Sequence, residues 1–365
     1  MAKLFGKEYG KKELLTRMGG ISQVGGVRLQ TLGDGKEAGV RTVRFRTGSG
    51  LDFTVLADRG LDISTAEFNG QSLAWRSPTS DVSPAFYEEP ENRWLRNFTG
   101  GLVVTCGYTY AGASCEDRGT KLGLHGRASN LPASNLCCDA EWDGDSYVMW
   151  AQGKMRESVV FGENVELCRR ISAKLGEPKI YIHDKVTNMG WERIEHMFLY
   201  HCNLGFPVLD EGSRLIAAND SATPRDEEAE TEKELYAEFT GPVHWFKERC
   251  YYLGMLEDSE GYVSVGLVNP SFRGGQGIGV YLRYLKSELP KFTEWKCTDE
   301  GTYVCGFEPA NCWVEGRAKE RERGTLQFLE AGETREYHLE IGVLTSSDEI
   351  RAFEEKLNQT RRLHT

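Results

Sequence analysis

Hydrophobic and polar positions alternate along short stretches of the chain, which is the two-residue period of a half-buried β-strand. Residues 40–46 and 51–55 show the alternation on either side of a Gly-Ser-Gly turn. Asn69-Gly70 predicts a tight hairpin, because a type I′ turn needs positive φ at both central residues. Further strand-like runs cover residues 146–152, 166–172, 179–187, 194–200, 262–268, 279–285, 324–329 and 335–344.

Helical periodicity is scarce by comparison. Residues 11–18 predict a short helix, and residues 347–361 predict a longer one near the C-terminus. Ser346 and Glu349 have the spacing of a capping box at the start of that helix. Many short strands without a βαβ alternation favour an all-β fold of antiparallel sheets, built as a sandwich or a barrel.

No linker-like change of composition divides the 365 residues. All-β folds often extend over this length as one unit, so we predict a single domain over residues 1–365. Residues 1–25 are expected to form an N-terminal extension, and residues 346–365 the C-terminal helix. The charge run 225–234 is interpreted as a solvated loop.

Composition limits the partners and the location. A formal net charge of −11 argues against sequence-independent nucleic-acid binding and against docking on anionic membranes. The N-terminus has no apolar signal core, and no run of about 18 apolar residues occurs. We therefore expect a cytoplasmic protein. The ten cysteines form no Cys-x-x-Cys pair and are expected to be free thiols.

Three short segments carry candidate chemistry. In residues 123–127 (Gly-Leu-His-Gly-Arg), glycines on both sides of His125 allow backbone to pass close to a ligand. In residues 200–205 (Tyr-His-Cys-Asn-Leu-Gly), His201 ends an apolar strand. In residues 305–311 (Cys-Gly-Phe-Glu-Pro-Ala-Asn), Glu308 lies between an apolar strand and a proline-marked turn.

Taken together, these segments resemble the aldose 1-epimerase (galactose mutarotase) family, over roughly residues 25–345. The likeness is greatest to a branch of that superfamily with the run 55–63 (Val-Leu-Ala-Asp-Arg-Gly-Leu-Asp-Ile) and the His-Gly-Arg box. The resemblance implies a galactose-mutarotase-like β-supersandwich of antiparallel sheets with a short C-terminal helix. It also implies anomer exchange, with Glu308 as general base, His201 as general acid and His125 as a substrate-binding residue.

Other residues are candidates for holding the sugar. Arg59 and Arg127 have a guanidinium fork suited to hydroxyls or to an anionic group, and several arginines at one pocket would indicate an acidic sugar. Asn203 follows the His201 segment. His244 lies about where galactose mutarotases have an Asp-His-Asn segment, which this chain lacks. Flat apolar platforms for the sugar ring are expected from aromatic residues, the candidates being Trp75, Trp94, Trp245, Phe272 and Trp295.

Alternatives remain open at this stage. Each candidate histidine, arginine or glutamate also fits a structural role in a hydrogen bond or salt bridge. The chain as a whole also fits a non-catalytic carbohydrate-binding or sensing protein, or another sugar isomerase, lyase or glycosidase-related module. A hydrolase would want two carboxylates at one site, and only Glu308 is convincing. No metal-ligand spacing and no phosphate loop is present, so no metal or cofactor is expected. The expected partner is a small carbohydrate, bound by a monomer or homodimer.

Overall fold

The computed structural model describes residues 1–364, and short antiparallel strands dominate them. In chain order the strands are β1 (Ala2–Leu4), β2 (Lys7–Tyr9), β3 (Gly26–Thr31), β4 (Arg41–Arg46), β5 (Leu51–Leu56), β6 (Asp62–Phe68), β7 (Gln71–Ser72), β8 (Val104–Tyr108), β9 (Cys115–Asp117), β10 (Thr120–Leu122), β11 (Ser134–Asp143), β12 (Ser146–Ser158), β13 (Asn164–Lys174), β14 (Lys179–Asn188), β15 (Ile194–Leu204), β16 (Arg214–Ala217), β17 (Asn219–Pro224), β18 (Arg249–Met255), β19 (Tyr262–Asn269), β20 (Ile278–Leu285), β21 (Lys291–Asp299), β22 (Thr302–Ala310), β23 (Gln327–Leu329) and β24 (Thr334–Leu344).

Three sheets make up most of the fold. An eight-stranded sheet has the order β11-β12-β13-β14-β24-β20-β19-β16. A seven-stranded sheet has the order β17-β18-β21-β22-β15-β23, and β8 also pairs with β15. A five-stranded sheet, β3 to β7, runs in chain order. The predicted all-β supersandwich of antiparallel sheets is therefore confirmed.

The two large sheets pack face to face because each strand turns its alternate apolar side chains inward. Their buried residues belong to one hydrophobic cluster. Representative members are Ile171, Ile182, Leu282 and Ile341 from the eight-stranded sheet, and Phe198, Phe292 and Phe307 from the seven-stranded sheet.

Strand β15 is buried on both faces from residue 196 to residue 204. Phe198 and Tyr200 point into the core between the sheets. Met197 and Leu199 point the other way, into a second apolar cluster built with loop residues such as Trp94. The outer face of the seven-stranded sheet is therefore covered at β15, and a polar side chain on that face of the strand is shielded from solvent.

Helices are few and mostly short, and they are α1 (Lys11–Leu15), α2 (Glu227–Glu230), α3 (Phe272–Gly275), α4 (Arg317–Arg323) and α5 (Ser347–Leu363). The predicted C-terminal helix is confirmed, and Ser346 Oγ accepts the Glu349 N–H at 3.2 Å. Among the described residues, no helix is long and apolar enough to cross a membrane.

Predictions of turns and strands from short sequence patterns agree with the structure where neighbouring residues alone set the backbone conformation. Asn69 and Gly70 have φ of 50° and 77°, as the predicted hairpin requires. The run predicted as a strand at 324–329 is extended only over β23, because Gly324 instead ends helix α4 with a left-handed φ of 72°. The division into a single domain over residues 1–365 stays a prediction.

Candidate active site

His201 and Glu308 face each other across two neighbouring strands. Cys202 pairs with Phe307 and Leu199 with Ala310, so the register sets His201 directly opposite Glu308. His201 Nε2 lies 3.4 Å from Glu308 Oε1, and both side chains are buried. Two residues about 107 positions apart in the sequence are thus paired by the ladder of β15 and β22.

A glycine makes room for this pair. A Cβ atom at Gly306 would lie 3.0 Å from the Trp295 Cβ and 3.3 Å from the His201 ring. Both distances are shorter than ordinary van der Waals contact. Glycine at position 306 therefore lets the indole of Trp295 pack beside the imidazole of His201, with ring centroids 5.4 Å apart.

His125 enters the same region from a tightly folded loop. Its backbone has φ of 58°, and its N–H donates to the carbonyl of Gly112 at 2.8 Å. A Cβ at Gly123 would lie 2.1 Å from the Glu89 carbonyl, and one at Gly126 would lie 2.5 Å from the Tyr110 carbonyl. The two flanking glycines are thus required by close backbone packing, and they present the His125 ring 5.5 Å from that of His201.

These three side chains line one cavity of about 290 Å³. Its walls combine aromatic and aliphatic side chains, which suit the apolar face of a sugar ring, with polar groups. Trp94 stacks on Phe98 at 4.6 Å and packs against the His125 ring at 4.9 Å. Trp295 forms another wall, whereas the expected platform Trp245 is 81% exposed and lies outside the lining.

Burial controls the protonation of the site. It lowers the pKa of His201 to about 3, with a smaller contribution from His125. It also lowers the pKa of His125 to about 4. Burial raises the pKa of Glu308 to about 8, and the nearby charge of Glu248 adds to this rise while Arg225 opposes it. At neutral pH the resting pair is therefore a carboxylic acid beside a neutral imidazole.

Some polar atoms of the residues that line the cavity have no hydrogen-bond partner in the protein. His125 Nδ1, His201 Nδ1 and Glu308 Oε2 are buried and have no hydrogen-bond partner. A buried polar atom without a partner costs about 1–3 kcal/mol. Three such atoms belong to residues that line one cavity, and this placement fits a site that binds a polar ligand.

A charged group that the sequence pattern does not reveal, Arg225, lies at the cavity wall. Arg225 donates to Glu248 at 3.3 Å and to Cys250 Sγ at 3.0 Å, and its Nε donates to Asp226 at 2.8 Å. Glu248 also accepts the indole N–H of Trp295 at 2.8 Å. Arg225 is the first residue of the charge run 225–234, which the sequence pattern predicts to be a solvated loop. Its position directly after β17, which ends at Pro224, is the one sequence feature that could have indicated an ordered role.

Arg59 lies away from the cavity, contrary to prediction. Its side chain is buried, and the guanidinium donates to the carbonyl oxygens of Ser129, Val82 and Asn97 at 2.6, 2.8 and 2.9 Å. With all three nitrogens bonded to backbone, the fork joins three loops. The predicted contact with sugar hydroxyls does not fit this placement.

Arg127 is likewise turned away from the cavity, although it is close to His125 in the sequence. Its guanidinium lies 2.6 Å from Glu89, 3.4 Å from Glu163 and 3.6 Å from Glu157. The three carboxylates occupy the fork that was expected to bind a sugar. The structure therefore separates Arg127 from the three central residues.

The two remaining candidates also lie outside the lining. Asn203 is fully buried, and its amide donates to the carbonyls of Gly101 and His201, each at 3.0 Å. This amide steadies the backbone that carries the His201 ring. His244 is exposed and pairs with Glu300 at 2.7 Å, so the structure does not bring it to the cavity.

Comparison with known proteins concerns the family and the overall fold of the chain. The model of a family described as Domain of unknown function (DUF4432) matches residues 37–343. No match was found among curated proteins. The crystal structure of a "putative aldose 1-epimerase" from Klebsiella pneumoniae is similar, with a TM-score of 0.87 and 26% identity over 92% of this chain and 87% of that one.

More distant structures share the fold. A galactose mutarotase-like protein from Clostridium acetobutylicum has a TM-score of 0.58 and 12% identity, over 88% of this chain and 99% of that one. A galactose 1-epimerase from Lactobacillus acidophilus has a TM-score of 0.51 and 12% identity, again over 88% and 99%. The mutarotase-like fold expected from the resemblance is thus confirmed.

Proposed function

The chain belongs to the family described as Domain of unknown function (DUF4432), and we propose that it is a mutarotase, an isomerase that interconverts the two anomers of a free sugar. The observation that carries the proposal is the pair of His201 and Glu308. Its two polar ends lie 3.4 Å apart in a cavity with aromatic walls.

Anomer exchange needs two proton transfers. As the ring opens, one group takes the proton from the anomeric hydroxyl and a second group protonates the ring oxygen. Ring closure on the other face of the carbonyl runs the same transfers in reverse. Glu308 is assigned to the anomeric hydroxyl and His201 to the ring oxygen, which retains the roles implied by the family resemblance.

The pair needs one proton in all, held by either partner in turn. When the sugar ring is closed, Glu308 is ionised and His201 protonated; once the ring is open, Glu308 holds the proton and His201 is neutral. The pKa shifts favour the second form in the free protein. The resting site is therefore matched to the open-chain sugar, and binding of the ring form requires the proton to cross from Glu308 to His201.

The other cavity residues bind and orient. His125 has a buried Nδ1 with no partner in the protein, which suits a contact with a ring oxygen or hydroxyl. Trp94 and Trp295 offer apolar faces to the C–H side of a sugar ring. The volume of about 290 Å³ is at the small end for ligand sites and fits one monosaccharide unit.

The charges at the cavity favour an uncharged sugar. Arg225 is the one arginine that lines the cavity within residues 1–364. Asp226 and Glu248 lie 2.8 and 3.3 Å from its guanidinium and neutralise it. Arg59 and Arg127, which would have favoured an acidic sugar, have their partners elsewhere. A carboxylate or phosphate on the sugar would thus find no unpaired cation.

Exchange spectroscopy by NMR tests the proposal directly. Neutral aldoses, a uronate, a sugar phosphate and an amino sugar would each be followed for exchange between the anomeric proton signals, with and without protein. The expected result is faster exchange for at least one neutral aldose and much less effect on the anionic sugars. Sugar binding without any acceleration would instead identify a carbohydrate-binding protein and would overturn the proposal.

A further inference from the structure

Two histidines and a glutamate lie side by side on the outer face of the eight-stranded sheet, which is the sheet that does not carry the cavity. His183 on β14 is paired in register with His338 on β24. Glu336 precedes His338 by two residues, so both point to the same side of the strand. Their neighbours Ile182, Tyr337 and Leu339 point into the core instead.

The three side chains approach one another closely. His183 Nε2 lies 2.6 Å from a carboxylate oxygen of Glu336. The rings of His183 and His338 stack with centroids 4.3 Å apart and an interplanar angle of 17°. One ligand atom from each of the three residues falls within 4.8 Å of the other two. A single ion with bonds of roughly 2.0–2.2 Å can reach all three after small side-chain rotations.

A second carboxylate, that of Glu288, contacts the ring nitrogen Nδ1 of His338. Glu288 accepts the backbone N–H of His338 at 2.7 Å and contacts its Nδ1 at 2.8 Å. This bond fixes the tautomer and directs Nε2 outward. Metal-binding histidines are usually supported in this way by a carboxylate on the other ring nitrogen. Lys185 lies 3.0 Å from Glu336 Oε1, whereas Oε2 contacts His183 Nε2 and would exchange that contact for a bond to the ion.

We infer that His183, Glu336 and His338 form a binding site for a divalent transition-metal ion, Zn²⁺ being the best match. Imidazole and carboxylate groups are ordinary Zn²⁺ ligands, and three of them leave one position open to water. The proposal is independent of the mutarotase proposal, because this site lies on a different sheet. The ligands come from strands about 150 residues apart, so spacing within the sequence could not show the set.

Metal titration of the intact chain tests this inference. The protein would be treated with a chelator, dialysed, and titrated with Zn²⁺ by calorimetry and with Co²⁺ by absorption. We expect one equivalent of Zn²⁺ per chain and a Co²⁺ spectrum without a thiolate charge-transfer band. His183→Gln and His338→Gln should each weaken Zn²⁺ binding at least tenfold, and Glu288→Gln should weaken it by about 10–100-fold.

His244 supplies the matched control. It pairs with Glu300 on the surface at 2.7 Å, much as His183 pairs with Glu336, but it belongs to no three-residue group in the described part of the chain. His244→Gln should leave Zn²⁺ affinity unchanged. The inference is overturned if the wild-type chain binds no equivalent of Zn²⁺, if His183→Gln and His338→Gln bind as tightly as wild type, or if Co²⁺ is held by cysteine thiolates.

Discussion

Tyr200 and His201 are consecutive residues of β15, and they open onto two buried polar clusters of opposite character. On the core side, every side-chain nitrogen of Arg169 donates a hydrogen bond, and Tyr200 donates to Asp184 at 2.6 Å. On the other side, His201 and Glu308 each keep a buried polar atom without a partner. Burial alone therefore does not mark a functional site, whereas buried polar atoms without a partner on residues that line a cavity do.

The core-side cluster is complete in itself. Arg169 forms a two-point contact with Asp184, at 2.8 and 2.6 Å, and also lies 3.2 Å from Asp62 and 2.7 Å from Thr105. The charge of Arg169 is balanced and its geometry is fixed, so it offers no free hydrogen-bond donor to a ligand. The cavity cluster shows the reverse pattern, because its pKa shifts and free lone pairs disfavour the empty protein and favour a bound polar molecule.

The largest expected effect is on chemistry. Glu308→Gln keeps the shape of the side chain but removes proton transfer, so the enzyme-accelerated anomer exchange should fall by about 10²–10⁴-fold, with sugar binding retained. NMR exchange and calorimetry would measure the two quantities on the sugar that wild type accelerates most. A rate within about twofold of wild type would mean that Glu308 is structural and that the acid–base mechanism is wrong.

Glu294 provides the control for that variant. It lies on the neighbouring strand β21, pairs in register with Phe307, and is fully buried with no hydrogen-bond partner for either oxygen. Burial raises its pKa as it does that of Glu308. It does not line the cavity, so Glu294→Gln should leave the exchange rate nearly unchanged.

The next effect is on stability and tests the core-side cluster. Asp184→Asn leaves the buried Arg169 without its main counter-charge, and the free energy of unfolding should fall by about 3–5 kcal/mol. Urea unfolding measures this fall. Asp52→Asn removes the partner of the half-exposed Arg44 at 2.6 Å and should cost only about 0–1 kcal/mol. Equal losses in the two variants would show that the completeness of the Arg169 cluster does not stabilise the fold.

The features of the fold and of the site that the sequence predicts are those set by interactions between residues close together in the chain. Period-2 runs and the Asn69-Gly70 turn are local, so strands and hairpin could be predicted. The three short segments also identified His125, His201 and Glu308, which the structure brings to one cavity. The roles of Arg59 and Arg127 depended on which distant carbonyls or carboxylates would reach them, and no local pattern encodes that choice. The role of Arg225 could not be predicted for the same reason, because its partners Glu248 and Cys250 are distant in the sequence and it begins a run of charged residues.

The pH dependence of the exchange rate tests the protonation assigned to His201 and Glu308. The pair works with one proton, which is lost as pH rises through the pKa of Glu308 at about 8. A second proton is added only as pH falls toward the pKa of His201 at about 3. The enzyme-dependent kcat/KM should thus be flat from about pH 5 to 7 and fall about tenfold per pH unit well above 8. Rates must be corrected for the protein-free reaction. A loss of activity on acidification near pH 6.5, the usual range of a histidine, would contradict the assigned shifts.

The smallest effect separates binding from chemistry inside the cavity. His125 contacts Trp94 and the His201 ring but lies on a loop rather than beside Glu308 on the sheet. His125→Asn removes one neutral hydrogen-bond partner of the sugar, worth about 0.5–1.5 kcal/mol, so KM should rise by up to about tenfold with kcat little changed. Steady-state exchange rates at several sugar concentrations measure both constants. If kcat instead falls as far as in Glu308→Gln, His125 takes part in proton transfer, and the two-residue assignment must be extended to three.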